Sequence, residues 1–472
     1  MAHYARVIWD AKARPIADLC CSRAALIGDY GAMEFRLEGA REKMAVLIVT
    51  LAISAIVIFQ AAEVWLADYR IHSQNVGEME RGTALLPGDG QAWDLLGHFY
   101  QWDFVHSDLP RALADYEHAV HDDPISADYW LDVGSALEAN GDVAGAQRAF
   151  ERAQAVYPAS GQVAFYYGNF LLRQQEFPAA YGQFRRAVTA DPKLLPVVIS
   201  RAWRASEDVN QLLDQVLPAN TDAYLQALDF FGAAHQADAA LVVWQRIRQT
   251  GRFVPLAETF PLLDELINDD RGDDARRVWR EALAAAGLPN DEPQRRSLIW
   301  NGDFHADFAE GGLGWRWDSP PGTSIDFDFQ PGPNGSRAVR LDFTGGANVS
   351  LDAPSEYVPV EPNQSYHFHA SMRTDSITTE SGMLFSIVDP NHKDAVNVAS
   401  DGVTGSQPWK PVDLDVRTGP ETHFLLVRLM RAPSRLFDNK LSGTAWIADV
   451  SLTPSGISSD AAAGKAGEPP SQ

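Results

Sequence analysis

Between residues 89 and 193, apolar residues follow the period of amphipathic helices and return at a fixed interval. In one copy, Trp130 and Gly134 fall on one helical face, and Ala146 and Phe150 fall on a second. Each copy therefore predicts two antiparallel helices joined by a short turn. The residue pairs that lie 34 residues apart are Gly134/Gly168, Ala146/Ala180, Phe150/Phe184 and Ala153/Ala187. Because one helical hairpin cannot bury its apolar face alone, the repetition predicts a helical solenoid with a groove.

The repeat pattern is less regular on either side of these copies. Gly97 lies 37 residues before Gly134, so the first copy carries a three-residue insertion in its turn, within residues 102–109. Residues 196–218 predict a shorter helix pair, and the helical pattern ends near residue 289. Two weaker copies, 35 residues apart, are marked by the pairs Leu228/Leu263, Ala240/Ala275 and Trp244/Trp279.

After Pro293 the period of the apolar residues changes from helical to alternating. Short alternating runs, separated by Gly, Pro and Asn clusters, are typical of antiparallel strands joined by polar turns. The runs are residues 324–329, 338–343, 365–372, 383–388, 423–430 and 444–452. They predict an all-β sandwich of about 155 residues. The chain as a whole is therefore predicted to be multidomain, with an all-α solenoid followed by an all-β sandwich.

Residues 44–62 form an uncharged stretch of 19 residues near the start of the chain. At a rise of about 1.5 Å per residue, such a helix crosses a hydrocarbon core of roughly 30 Å. We predict an uncleaved transmembrane helix over residues 44–66, with a long signal sequence as the alternative. Arg41 and Lys43 precede the stretch and Glu63 follows it, so the positive-inside rule predicts a cytoplasmic N-terminus. For a bacterial chain, this places a single-pass protein in the inner membrane with its bulk in the periplasm.

The leader, residues 1–43, is predicted to be a disordered cytoplasmic segment because it lacks a clear periodic pattern. Residues 1–32 could instead be an over-extended reading frame, since Met33 would give a short, positively flanked start. Cys20 and Cys21, the two cysteines of the chain, lie in this leader and are interpreted as ordinary reduced cysteines. No disulfide framework therefore supports the rest of the chain.

The charge and the motifs narrow the classes of function. The net charge of −24 argues against a nucleic-acid partner. No facing pair of carboxylates, nucleophile elbow or phosphate-binding loop can be nominated, so we predict no enzymatic activity. His367 and His369 point the same way on one predicted strand, a spacing that can bind zinc, but the sequence offers no third ligand at a characteristic distance. They are interpreted as two surface histidines.

The spacing of Trp130, Gly134, Ala146, Phe150 and Pro158 closely resembles that of tetratricopeptide (TPR) repeats. The resemblance is strongest over the regular copies and decays downstream. It implies two helices per repeat and a concave groove that binds protein or peptide partners.

Two short segments of the β region resemble jelly-roll carbohydrate-binding modules. Residues 300–304, Trp-Asn-Gly-Asp-Phe, resemble the opening of such modules, and residues 446–452 resemble their closing strand. The resemblance covers residues 297–454 and implies sugar binding by exposed aromatic rings, because the C–H faces of pyranoses stack on them. The candidate glycan platform consists of Trp315, Trp317, Tyr357 and Trp409. Each of these rings could instead pack in the core of the sandwich.

The same resemblance raises the question of a structural calcium ion. Members of the family commonly hold one with a Glu after the opening motif and paired Asp residues in the closing strand. Here His305 and Ala448 occupy two of those positions, which leaves Asp449 as a candidate ligand. Since a hard cation prefers several oxygen ligands, this calcium is the one cofactor considered, and no other is predicted.

Together these features predict a non-enzymatic, membrane-anchored periplasmic scaffold or adaptor. The TPR groove would bind a protein, and the jelly-roll module would bind a glycan. The pairing resembles proteins of bacterial exopolysaccharide systems, which implies a role in the assembly or export of a cell-surface polysaccharide. The alternative is an envelope protein-assembly factor that binds no sugar. The predicted segments are a leader (1–43), a transmembrane anchor (44–66), TPR-like helical repeats (70–290), a jelly-roll sandwich (297–454) and a disordered tail (455–472).

Overall fold

The structure, a computed structural model, describes residues 39–73, 75–289, 296–318, 320–333 and 336–455. The predictions made for Cys20, Cys21 and residues 1–32 lie outside the described residues, as does the predicted disorder of residues 456–472. The chain divides into two compact units, Met1–Asp123 and Pro124–Gln472, and each is described by itself.

Helices fill the N-terminal part of the chain, as predicted, and 14 of them lie within the described residues. In the first unit they are α1 (Ala40–Ile71), α2 (Val76–Leu85), α3 (Gly90–Trp102) and α4 (Leu109–Asp122). In the second unit they are α5 (Ala127–Ala139), α6 (Val143–Val156), α7 (Gly161–Arg173), α8 (Phe177–Ala190), α9 (Leu195–Ser206), α10 (Val209–Gln211), α11 (Thr221–Ala233), α12 (Ala237–Gln249), α13 (Phe260–Asn268) and α14 (Gly272–Ala285).

The first unit is built on the long helix α1. Its stretch Lys43–Ile71 is long and apolar enough to cross a membrane, judged by length and composition. At the C-terminal end of this helix, Ala67 and Ile71 are buried against Ala92 of α3. Gly82 of α2 permits this close packing, because a Cβ at that position would lie 2.9 Å from the Ala67 carbonyl oxygen. Helix α1 ends at Ile71, and its last turns therefore pack against the first helical hairpin, formed by α2 and α3.

The predicted insertion lies between α3 and α4. Helix α3 ends at Trp102, and Asp108 caps the N-terminus of α4 by accepting a hydrogen bond from the Arg111 backbone N–H. The intervening segment carries two strongly exposed apolar side chains, Phe104 and Val105.

In the second unit, the helix pairs α5/α6 and α7/α8 are held together at glycines. A Cβ at Gly134 would lie 3.0 Å from the Phe150 ring, and one at Gly168 would lie 2.8 Å from the Phe184 ring. The absence of a side chain lets each pair of backbones approach, and the facing aromatic ring fills the remaining space. These are the contacts that the 34-residue spacing predicts.

The later helices follow the pattern more loosely. The predicted short pair is α9 followed by α10, and α10 continues into a single π-helical turn, Leu212–Val216. Trp244 on α12 and Trp279 on α14 are both buried, so the weaker repeats also pack as helix pairs.

The C-terminal region folds into two antiparallel sheets, which confirms the predicted sandwich. Its strands are β1 (Thr323–Pro331), β2 (Arg337–Thr344), β3 (Ser355–Pro359), β4 (Ser365–Ile377), β5 (Leu384–Val388), β6 (Asn397–Ala399), β7 (Gly405–Arg417), β8 (Phe424–Met430) and β9 (Ser442–Pro454). The five-stranded sheet has the order β1-β2-β9-β4-β7, and the four-stranded sheet has the order β3-β8-β5-β6. Side chains such as Phe368 and Phe385 meet between the sheets, with ring centroids 5.1 Å apart.

The six alternating runs found in the sequence correspond to β1, β2, β4, β5, β8 and β9. Strands β3, β6 and β7 were not among them. Strand β7 contains Pro408 and Pro411, which lack a backbone N–H and argue against a central strand. The structure places β7 at the edge of its sheet, where such prolines are tolerated.

Candidate functional site

The outer face of the five-stranded sheet carries a row of large side chains that runs across the strands. The strand register places Asp326 of β1 beside Arg340 of β2, Arg340 beside Trp446 of β9, and Trp446 beside Arg373 of β4. Arg373 in turn faces the stretch of β7 that holds Trp409, at a register shift between Met372 and Thr374. Two tryptophans therefore flank one arginine on a partly exposed surface.

An open groove of about 620 Å³ lies at the β7 end of this row. Its lining includes the Trp409 ring and the polar side chains of Arg373, Asp375 and Gln407. The Arg373 guanidinium lies over the Trp446 ring, 4.6 Å from its centroid. An aromatic face with convergent hydrogen-bonding groups is the arrangement that holds a sugar ring.

A second group of side chains on the same face lies farther along β4 and β7. His367 is directly opposite Asp415, and His369 is directly opposite Asp413. The imidazole Nδ1 of His369 lies 2.7 Å from Asp413 Oδ1, and Nδ1 of His367 lies 3.0 Å from Asp415 Oδ1. The hydrogen bond to Asp415 raises the pKa of His367, and the hydrogen bond from His369 lowers the pKa of Asp413.

Four aromatic residues were predicted from the sequence to form a glycan platform, and the prediction for Trp315 is wrong. Its side chain is 0% exposed and packs against Phe304 and Phe308, with ring centroids 5.4 and 6.1 Å away. A ring that is fully enclosed by the core cannot stack on a sugar.

Trp317, Tyr357 and Trp409 occupy three different environments. Trp317 is partly buried against the sandwich core, and its backbone N–H donates to Glu310. The Tyr357 ring is covered by the Arg316 guanidinium at 4.7 Å and packs against the helical core. Trp409 alone of these three lines the groove on the outer face. The structure therefore does not bring the nominated rings together.

Asp449 lies at a bulge in β9, where the pairing with β4 shifts its register. Its backbone has φ +54°, a left-handed conformation that Asp adopts more readily than most residues. It lines a pocket of about 290 Å³ together with Asp303, His369 and Ser451. His305 forms an ion pair with Asp303 here, instead of offering the oxygen ligand that the jelly-roll pattern has at its position. The calcium ion at Asp449 stays a prediction.

In the helical repeats of the second unit, α5 and α7 are the first helices of two successive pairs. Arg173 of α7 holds Glu138 of α5 with two hydrogen bonds of 2.8 and 2.6 Å, which ties the helices together. Asn169 is 7% exposed and donates through Nδ2 to the Phe165 carbonyl. Among the residues that the structure describes, none donates to its Oδ1. This amide oxygen is itself buried, so it does not lie on a surface that a bound peptide could reach.

Helices α13 and α14 pack directly against the β-sandwich through apolar side chains. Leu313 and Phe424 from the C-terminal region belong to the same buried cluster as Leu263 and Trp279 of the helices. Trp279 also meets Trp300 edge to face, with ring centroids 5.5 Å apart. The two regions thus share one continuous core.

Hydrogen bonds also link the helices to the sandwich across this interface. Hydrogen bonds that cross it include Arg316 Nη2 to Asp264 Oδ1 (2.7 Å), Asn391 Nδ2 to the Ile267 carbonyl (2.9 Å) and Arg276 Nη2 to the Pro359 carbonyl (2.7 Å). Nearby, Glu356 is 1% exposed and accepts a hydrogen bond from the Trp300 backbone N–H. Burial raises the pKa of Glu356 well above its usual value.

Comparison with known proteins confirms the repeat prediction. Residues 104–146 and 134–194 match the family model of the tetratricopeptide repeat. These ranges contain the glycine and alanine contacts that hold α5 to α6 and α7 to α8. The chain therefore carries tetratricopeptide repeats in its helical part, followed by a β-sandwich.

Solved structures resemble each part separately. One, described as "CBM4 structure and function", is 14% identical, covers 33% of this chain and 99% of its own, and has a TM-score of 0.25. A thermophilic TPR protein of Thermus thermophilus is 18% identical, covers 34% of this chain and 95% of its own, and has a TM-score of 0.27.

One curated relative is an mRNA 3'-end-processing protein, rna-14, of Neurospora crassa. It is 25% identical over 159 residues, a stretch that makes up 32% of this chain and 13% of the Neurospora protein. The chain thus spans a small part of that relative's length.

Sequence reasoning missed Trp446, Arg373 and Asp413 as site residues. Trp446 was noted in the closing-strand motif but not as a surface ring, and Asp413 lies 44 residues from His369 along the chain. Only the register of β9, β4 and β7 brings these side chains together. Period-2 alternation in β4 and β9 indicates which residues share a face, but it does not indicate which strands are neighbours.

Proposed function

We propose that this protein is a membrane-anchored adaptor that binds a protein partner in its helical groove and a glycan on its β-sandwich, without enzymatic activity. Tetratricopeptide repeats are protein-interaction elements, and the family matches over residues 104–146 and 134–194 support the protein-binding half of the proposal. The glycan half of the proposal depends on the outer face of the five-stranded sheet.

The row across β9, β4 and β7 is the observation that carries glycan binding. Neighbouring strands lie about 4.8 Å apart, so Trp446 and Trp409, two strands apart, are separated by roughly 10 Å. That spacing is comparable to the length of a disaccharide. Arg373, Asp375 and Gln407 surround the Trp409 end with donors and acceptors for sugar hydroxyls. A sugar chain laid across the strands would stack on the Trp409 ring and reach the Arg373 guanidinium, which covers the Trp446 ring.

We further propose that α1 is an uncleaved anchor in a bacterial inner membrane, with the repeats and the sandwich in the periplasm. Its length and apolar composition support a membrane span. The basic residues Arg41 and Lys43 before the apolar stretch support a cytoplasmic N-terminus. A glycan-binding adaptor in that compartment would act in the assembly or export of a cell-surface polysaccharide.

The test uses the full-length chain in detergent micelles and a panel of purified neutral and acidic polysaccharides, including the exopolymer of the host. Saturable binding, measured by isothermal titration calorimetry, should fall at least tenfold in Trp409→Ala. Trp317→Ala is the matched control, because it removes a partly exposed tryptophan from the same module but away from the groove. Equal losses in both variants, or no binding to any polysaccharide by the wild type, would remove glycan binding from the proposal.

One observation favours the alternative of an envelope protein-assembly factor that binds no sugar. The sandwich already contacts protein extensively, since it shares a core with α13 and α14. Under this alternative the sandwich would serve as a structural cap on the helical repeats. This alternative would be supported if the wild-type chain captured a specific envelope protein and bound none of the polysaccharides in the panel.

A further inference from the structure

His367 of strand β4 lies between two aspartates of the neighbouring strand β7. Its Nδ1 is 3.0 Å from Asp415 Oδ1, and its Nε2 is 3.4 Å from Asp413 Oδ1. His367 is directly opposite Asp415, and Asp413 lies two residues away on the same face of the sheet. Arg417 is the next charged residue on this face of β7, and it lies beyond Asp415, opposite Ser365. Two paired strands therefore hold the imidazole ring between two carboxylates.

Both ring nitrogens of His367 face groups that can only accept hydrogen bonds. An ionised carboxylate has no proton to donate, and a neutral imidazole carries one proton on its two nitrogens. A neutral His367 would therefore direct the lone pair of one nitrogen at a carboxylate oxygen. The imidazolium form has an N–H on each nitrogen, so it matches both aspartates at once.

The other groups around His367 are compatible with this form. His369 lies two residues away on β4, and its Nδ1 is 2.7 Å from Asp413 Oδ1, a contact that a neutral imidazole makes as a donor. From β9, Thr453 and Ser451 pair with His367 and His369 and bring no charge. The hydrogen bond to Asp415 raises the pKa of His367, and Asp413 acts in the same direction, whereas burial opposes them.

Strand β7 depends on side-chain contacts of this kind because it is an edge strand. Its one hydrogen-bonded neighbour in the sheet is β4. Pro408 and Pro411 provide no backbone N–H, and the pairing with β4 becomes irregular beyond Met372. His367 lies in the regular part of the pairing. Strand β7 also carries Trp409, which lines the groove on the outer face.

We infer that a protonated His367 clamps the edge strand β7 to β4 through Asp413 and Asp415, and that this clamp releases as the pH rises. The two aspartates are then left as like charges on one strand face. The folded state binds this proton more tightly than the unfolded state, so the full stabilisation is present below about pH 6.5, the ordinary value for histidine. The stabilisation is lost as the pH rises through the raised pKa of His367. The clamp acts on strand pairing whether or not a glycan is bound.

Nuclear magnetic resonance of the full-length chain in detergent micelles, with ¹³C at Cε1 of histidine, measures the protonation of His367. The variant His367→Gln identifies the signal by removing it. In the wild type this signal should titrate with a midpoint above the ordinary histidine value of about 6.5. Asp415→Asn and Asp413→Asn, which preserve shape but remove charge, should each lower the midpoint. A wild-type midpoint at or below the ordinary value would overturn the inference.

Amide hydrogen exchange of residues 405–417, corrected for the intrinsic effect of pH, measures how firmly β7 is attached. Between about pH 6 and about pH 8.5, protection should fall about two- to fivefold in the wild type, the effect of one favourable cross-strand pair. The fall should be absent in His367→Gln. The control Asp326→Asn removes an exposed carboxylate from β1, at the opposite edge of the sheet, and should leave the fall unchanged. An equal fall in the wild type and in His367→Gln would show that protonation of His367 does not hold β7.

Discussion

Asp115 is a carboxylic acid enclosed within the first unit. It lies on α4, is 6% exposed, and in the described part of the chain its Oδ2 has no hydrogen-bond partner. Burial raises the pKa of Asp115 to about 6, against the smaller opposing effects of Arg111 and His118. Between the unfolded value of about 3.9 and this value, the folded state binds more protons than the unfolded state. The free energy of unfolding therefore falls as the pH rises through this window.

Asp115→Asn should remove this dependence, because an amide is not ionised at any of these pH values. We expect the variant to gain about 1–3 kcal/mol at pH 7.5 and little at pH 4. Thermal unfolding across pH 4 to 7.5 measures it, with Asp122→Asn, an exposed acid on the same helix, as the control. A variant whose stability changes equally at both ends of the range would contradict the assignment of the effect to Asp115.

The functional roles of individual residues were the property hardest to predict from the sequence. Trp409 was nominated together with Trp315, yet one ring lines a groove and the other is enclosed by Phe304 and Phe308. Local alternation assigns a ring to one side of a strand, but it does not say whether another layer covers that side. Asp413 meets His369 only through the pairing of β4 with β7, which no local pattern encodes.

At the scale of elements, two glycines of one helix pair offer a matched comparison. Gly168 of α7 would place a Cβ 2.8 Å from the buried Phe184 ring, whereas a Cβ at Gly182 of α8 would meet nothing within 4 Å. Gly168→Ala should therefore destabilise the protein by about 1–3 kcal/mol through overpacking. Gly182→Ala should stabilise it by up to about 1 kcal/mol, because Ala is the better helix former.

Chemical denaturation of the two variants measures the difference. The wild-type chain gives the reference, and the change in side chain is the same in both cases. Shifts of equal sign and size would show that α7 and α8 are not packed through Gly168.

Helices were easier to predict than strands for a physical reason. A TPR hairpin is a local structure, so Gly134, Ala146 and Phe150 mark it within one short stretch of sequence. The sheets are non-local: β2 pairs with β9, and β3 pairs with β8. Strand β7 was missed because its prolines are compatible with a strand only at a sheet edge, and the edge is known only when the whole sheet is known.

At the scale of the whole second unit, the helical repeats and the sandwich should unfold together. Arg316 donates to Asp264 and to the Gly312 carbonyl, and it covers the Tyr357 ring. Burial raises the pKa of Asp264, while Arg316 opposes this, and removal of the guanidinium also ends the contacts that Arg316 makes with Gly312 and Tyr357.

Arg316→Ala should therefore destabilise the protein by about 1–3 kcal/mol and loosen the sandwich from α13. Limited proteolysis should release the sandwich faster from this variant than from the wild type. Arg417→Ala, at an exposed position on the edge strand β7, serves as the control and should change neither quantity. Release of the sandwich at the wild-type rate would show that the interface does not depend on Arg316.

The length of helix α1 determines how far from the membrane the first helical hairpin would meet a partner protein. The stretch Lys43–Ile71 contains 29 residues. As a helix it is about 44 Å long, whereas the hydrocarbon core is roughly 30 Å thick. With α1 across the bilayer as proposed, about 14 Å project beyond the hydrocarbon, and Ala67 and Ile71 hold the first hairpin to that segment. Because each headgroup layer adds only about 5–7 Å to the hydrocarbon, the first hairpin then stands at a fixed height just outside that layer. A membrane-bound partner would reach it by diffusion in two dimensions, at a local concentration set by the area of the membrane and not by the volume of the compartment.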